Sequence, residues 1–205
     1  MDWSFRTISF TKQPESRLPA LPSELRDLIF EYALVCNKPL VTFRLDNYQK
    51  DSMSEAVQPA LTRTNRQIRK ETLPIWYGCN RFVLHTQDPH AGKGLVWLER
   101  NSRYMSLLKH IALWIRYVSP INDRGYGALS ISMRRQAGTD VWYAEDDWEW
   151  ITVIRKPTGL EDDARFLQKE LDYLLENDYQ GQLDAEKFHC ILLETRRRYI
   201  EHKMS

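Results

Sequence analysis

Across positions 21–34 the apolar residues Leu25, Leu28, Ile29 and Tyr32 recur at i, i+3, i+4 and i+7, and Pro22 brings a preset φ to a first helical turn. The spacing predicts an amphipathic helix. The period then shortens to two over 39–45, with Leu40 and Thr42 on one side and Val41, Phe43 and Leu45 on the other, which predicts a short strand followed by a polar loop over 46–58. A second helix is expected over 59–72, kinked or restarted by Pro74 and ended by Gly78. Positions 81–85 read as a strand, 88–94 as a loop, and Leu95, Leu98, Met105 and Leu108 as one face of a helix over 95–109.

Two alternating runs come next. Ile111, Leu113, Ile115 and Tyr117 alternate with Ala112, Trp114 and Arg116, and Leu129, Ile131 and Met133 alternate in the same way, so both read as half-buried strands. Positions 141–155 read as a hairpin turning through Ala144, Glu145, Asp146 and Asp147, with Trp148, Trp150, Thr152 and Ile154 on one face and Glu149, Ile151 and Val153 on the other. Two helices close the chain. The first is announced by Thr158 and Glu161 in capping-box spacing and carried by Leu160, Ala164, Leu167, Leu171, Leu174 and Leu175. The second starts near Asp184 with Phe188, Ile191, Leu192 and Tyr199 on its apolar face, and Arg196, Arg197 and Arg198 sit where cations complement a helix C-terminus. The expected class is α+β: helices at both ends with an antiparallel or mixed sheet between them.

Composition narrows the setting. With 205 residues, 42% of them hydrophobic and 28% charged, the chain matches a folded domain rather than a disordered one. No run approaches the roughly 18 apolar residues of a membrane helix, and the first thirty positions hold no apolar run of signal-peptide length. Cys36, Cys79 and Cys190 are odd in number and far apart, unlike a disulfide framework, so an intracellular, reducing setting in cytoplasm or nucleus is expected. The net charge of +1 conceals two blocks: positions 59–135 carry a net +9 and positions 136–205 a net −7. Packing of one block beside the other accounts for this better than a basic face for an acidic partner or nucleic acid does, since the total is near zero.

Catalytic patterns are missing. There is no G-x-S-x-G, H-E-x-x-H or G-x-G-x-x-G, and the 90–94 segment with Lys93 between glycines lacks the length of a phosphate-binding loop, so it reads as a solvated turn. Cys79, His85 and His90 do not have zinc-ligand spacing. His189 and Cys190 are adjacent, which on a helix turns them about 100° apart and disfavours a nucleophile–base pair. Glu145, Asp146, Asp147 and Glu149 read as solvated turn charges. No catalytic residue, metal or cofactor is therefore expected. Trp76, Tyr77, Trp97, Tyr104 and Trp114 interleave with Arg81, Arg100, Arg103 and Arg116 in the basic block, as in some nucleic-acid binders, but without a nucleic-acid motif and with a pI near 7.7 that reading is disfavoured.

Two stretches together resemble fungal F-box-like proteins. The first is the Leu21-Pro22-Ser23-Glu24-Leu25-Arg26 run leading to Ile29, and the second is Asn65-Arg66-Gln67-Ile68-Arg69-Lys70-Glu71 with Leu73-Pro74, Tyr77-Gly78, Asn80 and Phe82 after it. The resemblance spans about 18–117. It implies a single domain over 18–205 after an extension at 1–17, with 118–205 unassigned. It also implies a non-enzymatic interaction module that binds a Skp-family adaptor of a cullin–RING ubiquitin ligase and presents an unknown protein substrate. The adaptor contacts it implies are Leu21, Pro22, Leu25, Leu28 and Ile29. The same stripe is equally suited to closing the domain's own core, giving a scaffold without adaptor binding. A standard F-box has three close helices, whereas the strand and loop expected over 38–58 intervene here. Asn65, Arg66, Arg69 and Glu71 read as a buried polar network tying helix to sheet. Trp148 and Trp150, if exposed together, would mark a second partner surface.

Overall fold

A computed structural model describes residues 17–42, 54–85, 91–118, 127–151 and 156–205. Helix α1 (Ser23–Leu34) leads to two-residue strands β1 (Leu40–Val41) and β2 (Ser54–Glu55), then α2 (Arg66–Cys79), β3 (Phe82–His85) and α3 (Ala91–Arg100). Strands β4 (His110–Arg116), β5 (Ala128–Arg135) and β6 (Trp142–Ile151) follow, and α4 (Leu160–Tyr173) and α5 (Ala185–Met204) close the chain. The fold is α+β, with a six-stranded mixed sheet in the order β2-β1-β3-β4-β5-β6. Pairings from β2 through β4 are parallel, and β4–β5 and β5–β6 are antiparallel.

The alternation in β3, β4 and β5 sorts their side chains onto two faces. Phe82, Leu84, Ile111, Leu113, Ile115, Leu129, Ile131 and Met133 join the main core with Phe30, Trp76, Tyr77, Leu167, Leu171, Phe188, Ile191 and Tyr199 from the helices. Val83, Ala112 and Trp114 are buried on the opposite face with Val41, so these strands are covered on both faces rather than half-buried as expected. Among the described residues no helix is long and apolar enough to cross a membrane.

Several local expectations need correction. A 3-10 turn at Ala60–Arg63 precedes α2, whose N-cap Asn65 accepts from the Ile68 N–H at 2.9 Å. That helix runs through Pro74 and includes Gly78, because Trp76 and Tyr77 beyond the proline are buried in the core and Pro74 itself is exposed. Helix α3 starts at Ala91, so much of the expected glycine loop is its first turn, and a 3-10 segment at Ser102–Leu107 replaces the helix's expected end. Strand β2 falls where a polar loop was expected, while Phe43, Leu45, His90 and positions 152–155 lie outside the described residues.

The hairpin at 141–155 is also different. Its turn precedes β6, at the Gly138 position with φ of 76°, and Ala144 to Trp148 belong to one strand. Met133 pairs with Ala144 and Ile131 with Trp148, so three residues of β6 bulge opposite one of β5. Helix α4 holds the bulge: the Asp172 carboxylate accepts from the Ala144 N–H at 2.7 Å, and the Gln168 amide donates to the Glu145 carbonyl at 3.0 Å. Gly159, with φ of 80°, precedes α4 in place of a Thr158 side-chain cap. Helix α5 starts just after Asp184, as expected, and the Asp184 carboxylate caps it, accepting from the Lys187 N–H at 2.8 Å.

Candidate functional site

Helix α1 carries apolar residues around more of its circumference than one core contact can cover. Phe30 and Leu34, one turn apart, are buried at 0% and 1% exposure, while Leu25, Leu28, Ile29 and Tyr32 stand at 48%, 63%, 42% and 95%. Val35 extends the exposed stripe. The helix therefore meets the core with a face that the i, i+3, i+4, i+7 pattern did not mark, and the patterned face points outward. Leu21 is half-buried and Pro22 is exposed as the N-cap residue, just before the first helical turn. Glu24, Asp27 and Glu31, at i, i+3 and i+7, form an acidic flank between the buried face and the stripe.

Two polar clamps hold α1 against α2. Arg26 donates to both Glu71 carboxylate oxygens, at 2.9 Å from Nε and 2.7 Å from a terminal nitrogen. The guanidinium's other terminal nitrogen reaches the Leu21 carbonyl at 2.5 Å and the Pro19 carbonyl at 3.5 Å, so one side chain fixes the Leu21-Pro22 entry and the partner helix together. This hydrogen-bonded pair holds the Glu71 carboxyl below its ordinary range and raises the Arg26 guanidinium. At the other end, the 1%-exposed Asn80 amide donates to the carbonyls of Leu34 at 3.0 Å and Trp76 at 2.9 Å and accepts from the Cys36 N–H at 2.7 Å. Neither role was visible in spacing alone. The signals were an Arg four residues after Pro22 and an Asn just beyond a helix, where unsatisfied carbonyls collect.

The expected buried network dissolves into separate roles. Asn65, Arg66 and Arg69 are exposed; Asn65 is the α2 cap, and Arg69 donates to the Thr62 carbonyl at 3.1 Å. Glu71 ties helix to helix rather than helix to sheet. The later signature residues are core: Tyr77, at 1% exposure, stacks on Phe82 at 5.7 Å and on Tyr104 at 5.0 Å, and its hydroxyl donates to Asn101 at 2.6 Å. Burial pushes the Tyr77 phenol up to about 12.

Trp148 and Trp150 are half-buried against the main core and offer no joint exposed patch. The Lys156 ammonium lies 4.4 Å above the Trp148 ring, and Tyr117 meets Trp150 edge-on at 5.7 Å. Gly127 lies under the Trp150 indole, where a Cβ would fall 2.0 Å from the ring. Gly127→Ala is thus expected to displace that indole and cost about 1–3 kcal/mol, read as a lowered urea midpoint at unchanged m.

The acidic run is divided as well. Glu145 meets His110 at 2.9 Å and Arg134 at 2.5 Å, Glu149 meets Arg81 at 3.1 Å, and Asp146 and Asp147 are exposed. Cys79 is exposed at the end of α2 and His85 is buried edge-on to Trp114 at 5.8 Å. Among the described residues no group of three or more His, Cys, Asp or Glu is placed to hold a metal ion. Compared with known proteins, the chain matches no family model, no curated protein and no solved structure.

Proposed function

We propose that the chain is a non-enzymatic interaction module of F-box type, in which α1 docks on a Skp-family adaptor of a cullin–RING ubiquitin ligase and the remainder presents a protein substrate. The observation that carries this reading is the exposed stripe of Leu25, Leu28, Ile29 and Tyr32 on a helix already anchored by Phe30 and Leu34. Isolated exposed apolar residues are ordinary, but contiguous ones along a clamped helix suit a partner's groove. Arg26 is a positioning residue here. Its hydrogen bonds fix the entry turn and hold the helix, so the stripe meets a partner without first being ordered. The acidic flank of Glu24, Asp27 and Glu31 favours a groove with a basic rim on that side.

The nucleic-acid alternative loses its main support. Trp76, Tyr77 and Trp114 are 3%, 1% and 3% exposed, so they offer no stacking platform.

Co-purification with a Skp-family adaptor tests the proposal. Wild type and Lys70→Ala, at an exposed position of α2, are expected to co-elute with it, and Leu28→Asp is expected to weaken the complex at least about thirtyfold while its circular dichroism stays that of wild type. Failure of the folded wild type to co-elute would leave the self-contained scaffold as the better reading.

A further inference from the structure

A cleft of about 480 Å³ lies where the end of α2, the start of β4, the end of β5 and the following turn meet. Backbone register builds it. The Arg135 N–H donates to the Lys109 carbonyl at 2.9 Å and His110 pairs with Arg134, which brings side chains some 25 positions apart in sequence to one rim. Gly78 completes the wall: the Lys109 stem passes 3.5 Å from where a Cβ on Gly78 would stand, so the lack of a side chain there leaves its course open.

The lining is one-sided in charge. Lys109, Arg134 and Arg135 line the cleft beside His110, whose imidazole burial pushes below its ordinary range, and among the described residues no Asp or Glu does. Arg134 is neutralised by Glu145, which His110 also meets. Arg135 meets Asp140 only at 3.5 Å, and that carboxylate is 56% exposed to competing water. The Lys109 ammonium has no hydrogen-bond or ion-pair partner among the described residues. A concave site with unspent positive charge attracts an anion, and its volume lies within the range of small-ligand sites. A lysine point charge beside an arginine fork suits a tetrahedral dianion with three acceptor oxygens better than a single carboxylate. Gln136 and Tyr143 add neutral donors at the same rim.

We propose that this cleft binds a phosphomonoester dianion, with Lys109 and Arg135 as its principal ligands and Gln136 and Tyr143 completing its hydrogen bonds. The site shares no residue with the α1 stripe and does not depend on adaptor binding. Cys79, exposed on the cleft wall, reports occupancy, since a bound ligand shields its thiol from an alkylating reagent.

The test uses the full chain at low salt with inorganic phosphate, O-phosphoserine, and one peptide with and without a phosphoserine. Site-resolved mass spectrometry follows alkylation of Cys79, with the half-buried Cys36 and Cys190 as internal references. Phosphate-bearing probes are expected to slow labelling of Cys79 alone, with the protection fading as salt rises. Lys109→Met, at an exposed position, should weaken protection about tenfold, and Lys109→Arg should retain most of it. Protection by inorganic phosphate and O-phosphoserine would assign a free phosphorylated ligand; protection by the phosphopeptide alone would assign a phosphorylated protein segment. Absence of protection by every probe, or protection unchanged in Lys109→Met, would overturn the proposal.

Discussion

Phe30→Ala is expected to destabilise the fold by about 3–5 kcal/mol, whereas Leu28→Ala, two positions earlier on the same helix, should change stability by no more than about 0.5 kcal/mol. The contrast follows from which face meets the core. Phe30 is 0% exposed and packs with Leu34 in the main cluster, so truncation removes buried area and leaves a cavity. Leu28 is 63% exposed, and its truncation removes little that is shielded from water. Equilibrium urea denaturation reads both. If the two losses were comparable, the stripe would be packed in solution, and the docking role proposed for α1 would lose its basis. The same pair separates folding from partner binding, since Leu28→Asp is the variant expected to lose the adaptor.

The α1 stripe shows what sequence can and cannot supply. Periodicity located the helix because Leu25, Leu28, Ile29 and Tyr32 line one side, but Phe30 and Leu34 make a second apolar pair at i, i+4 on another side. A pattern records contrast around a helix and not the direction of the core. The choice was settled by long-range contacts, chiefly Arg26 with Glu71 and Asn80 with Leu34, whose partners lie 45 and 46 positions away.

Elsewhere the errors come from reading composition as conformation. Glu145, Asp146 and Asp147 resemble a solvated turn, yet Asp172 and Gln168 of α4 supply partners for the backbone around the bulge, and Arg134 and His110 hold Glu145. Pro74 and Gly78 resemble a helix end, yet burial of Trp76 and Tyr77 offsets their local cost. The closing helices were legible because each carries one continuous apolar face, and α5 starts where Asp184 marked it. The basic cleft was not legible. Its cations come from separate segments that only the β4–β5 register joins.

Asn80→Ala should cost about 3 kcal/mol, because a single buried amide serves three backbone groups at the ends of two helices. Truncation strands the Leu34 and Trp76 carbonyls and the Cys36 N–H, and water admitted to the space offsets part of the roughly 1–3 kcal/mol that each unsatisfied group costs. Asn80→Asp distinguishes this account from simple loss of volume. The introduced carboxyl has nearly the same shape and can still accept from Cys36, but its second oxygen faces two carbonyl oxygens where the native amide donates. Burial and those dipoles disfavour its ionised form, so the folded chain holds the proton more tightly than the unfolded chain, in which the group titrates near about 4. The folded state then binds more protons, and stability relative to wild type falls as pH rises through and above that value. Below it the introduced carboxyl is protonated in both states and can donate to one carbonyl, so the deficit is smallest there. Urea midpoints of wild type and Asn80→Asp at about pH 4 and pH 7 measure the difference. A deficit that widens toward pH 7 supports the hydrogen-bond clamp, and one independent of pH would mean that Asn80 holds α1 to α2 by packing alone.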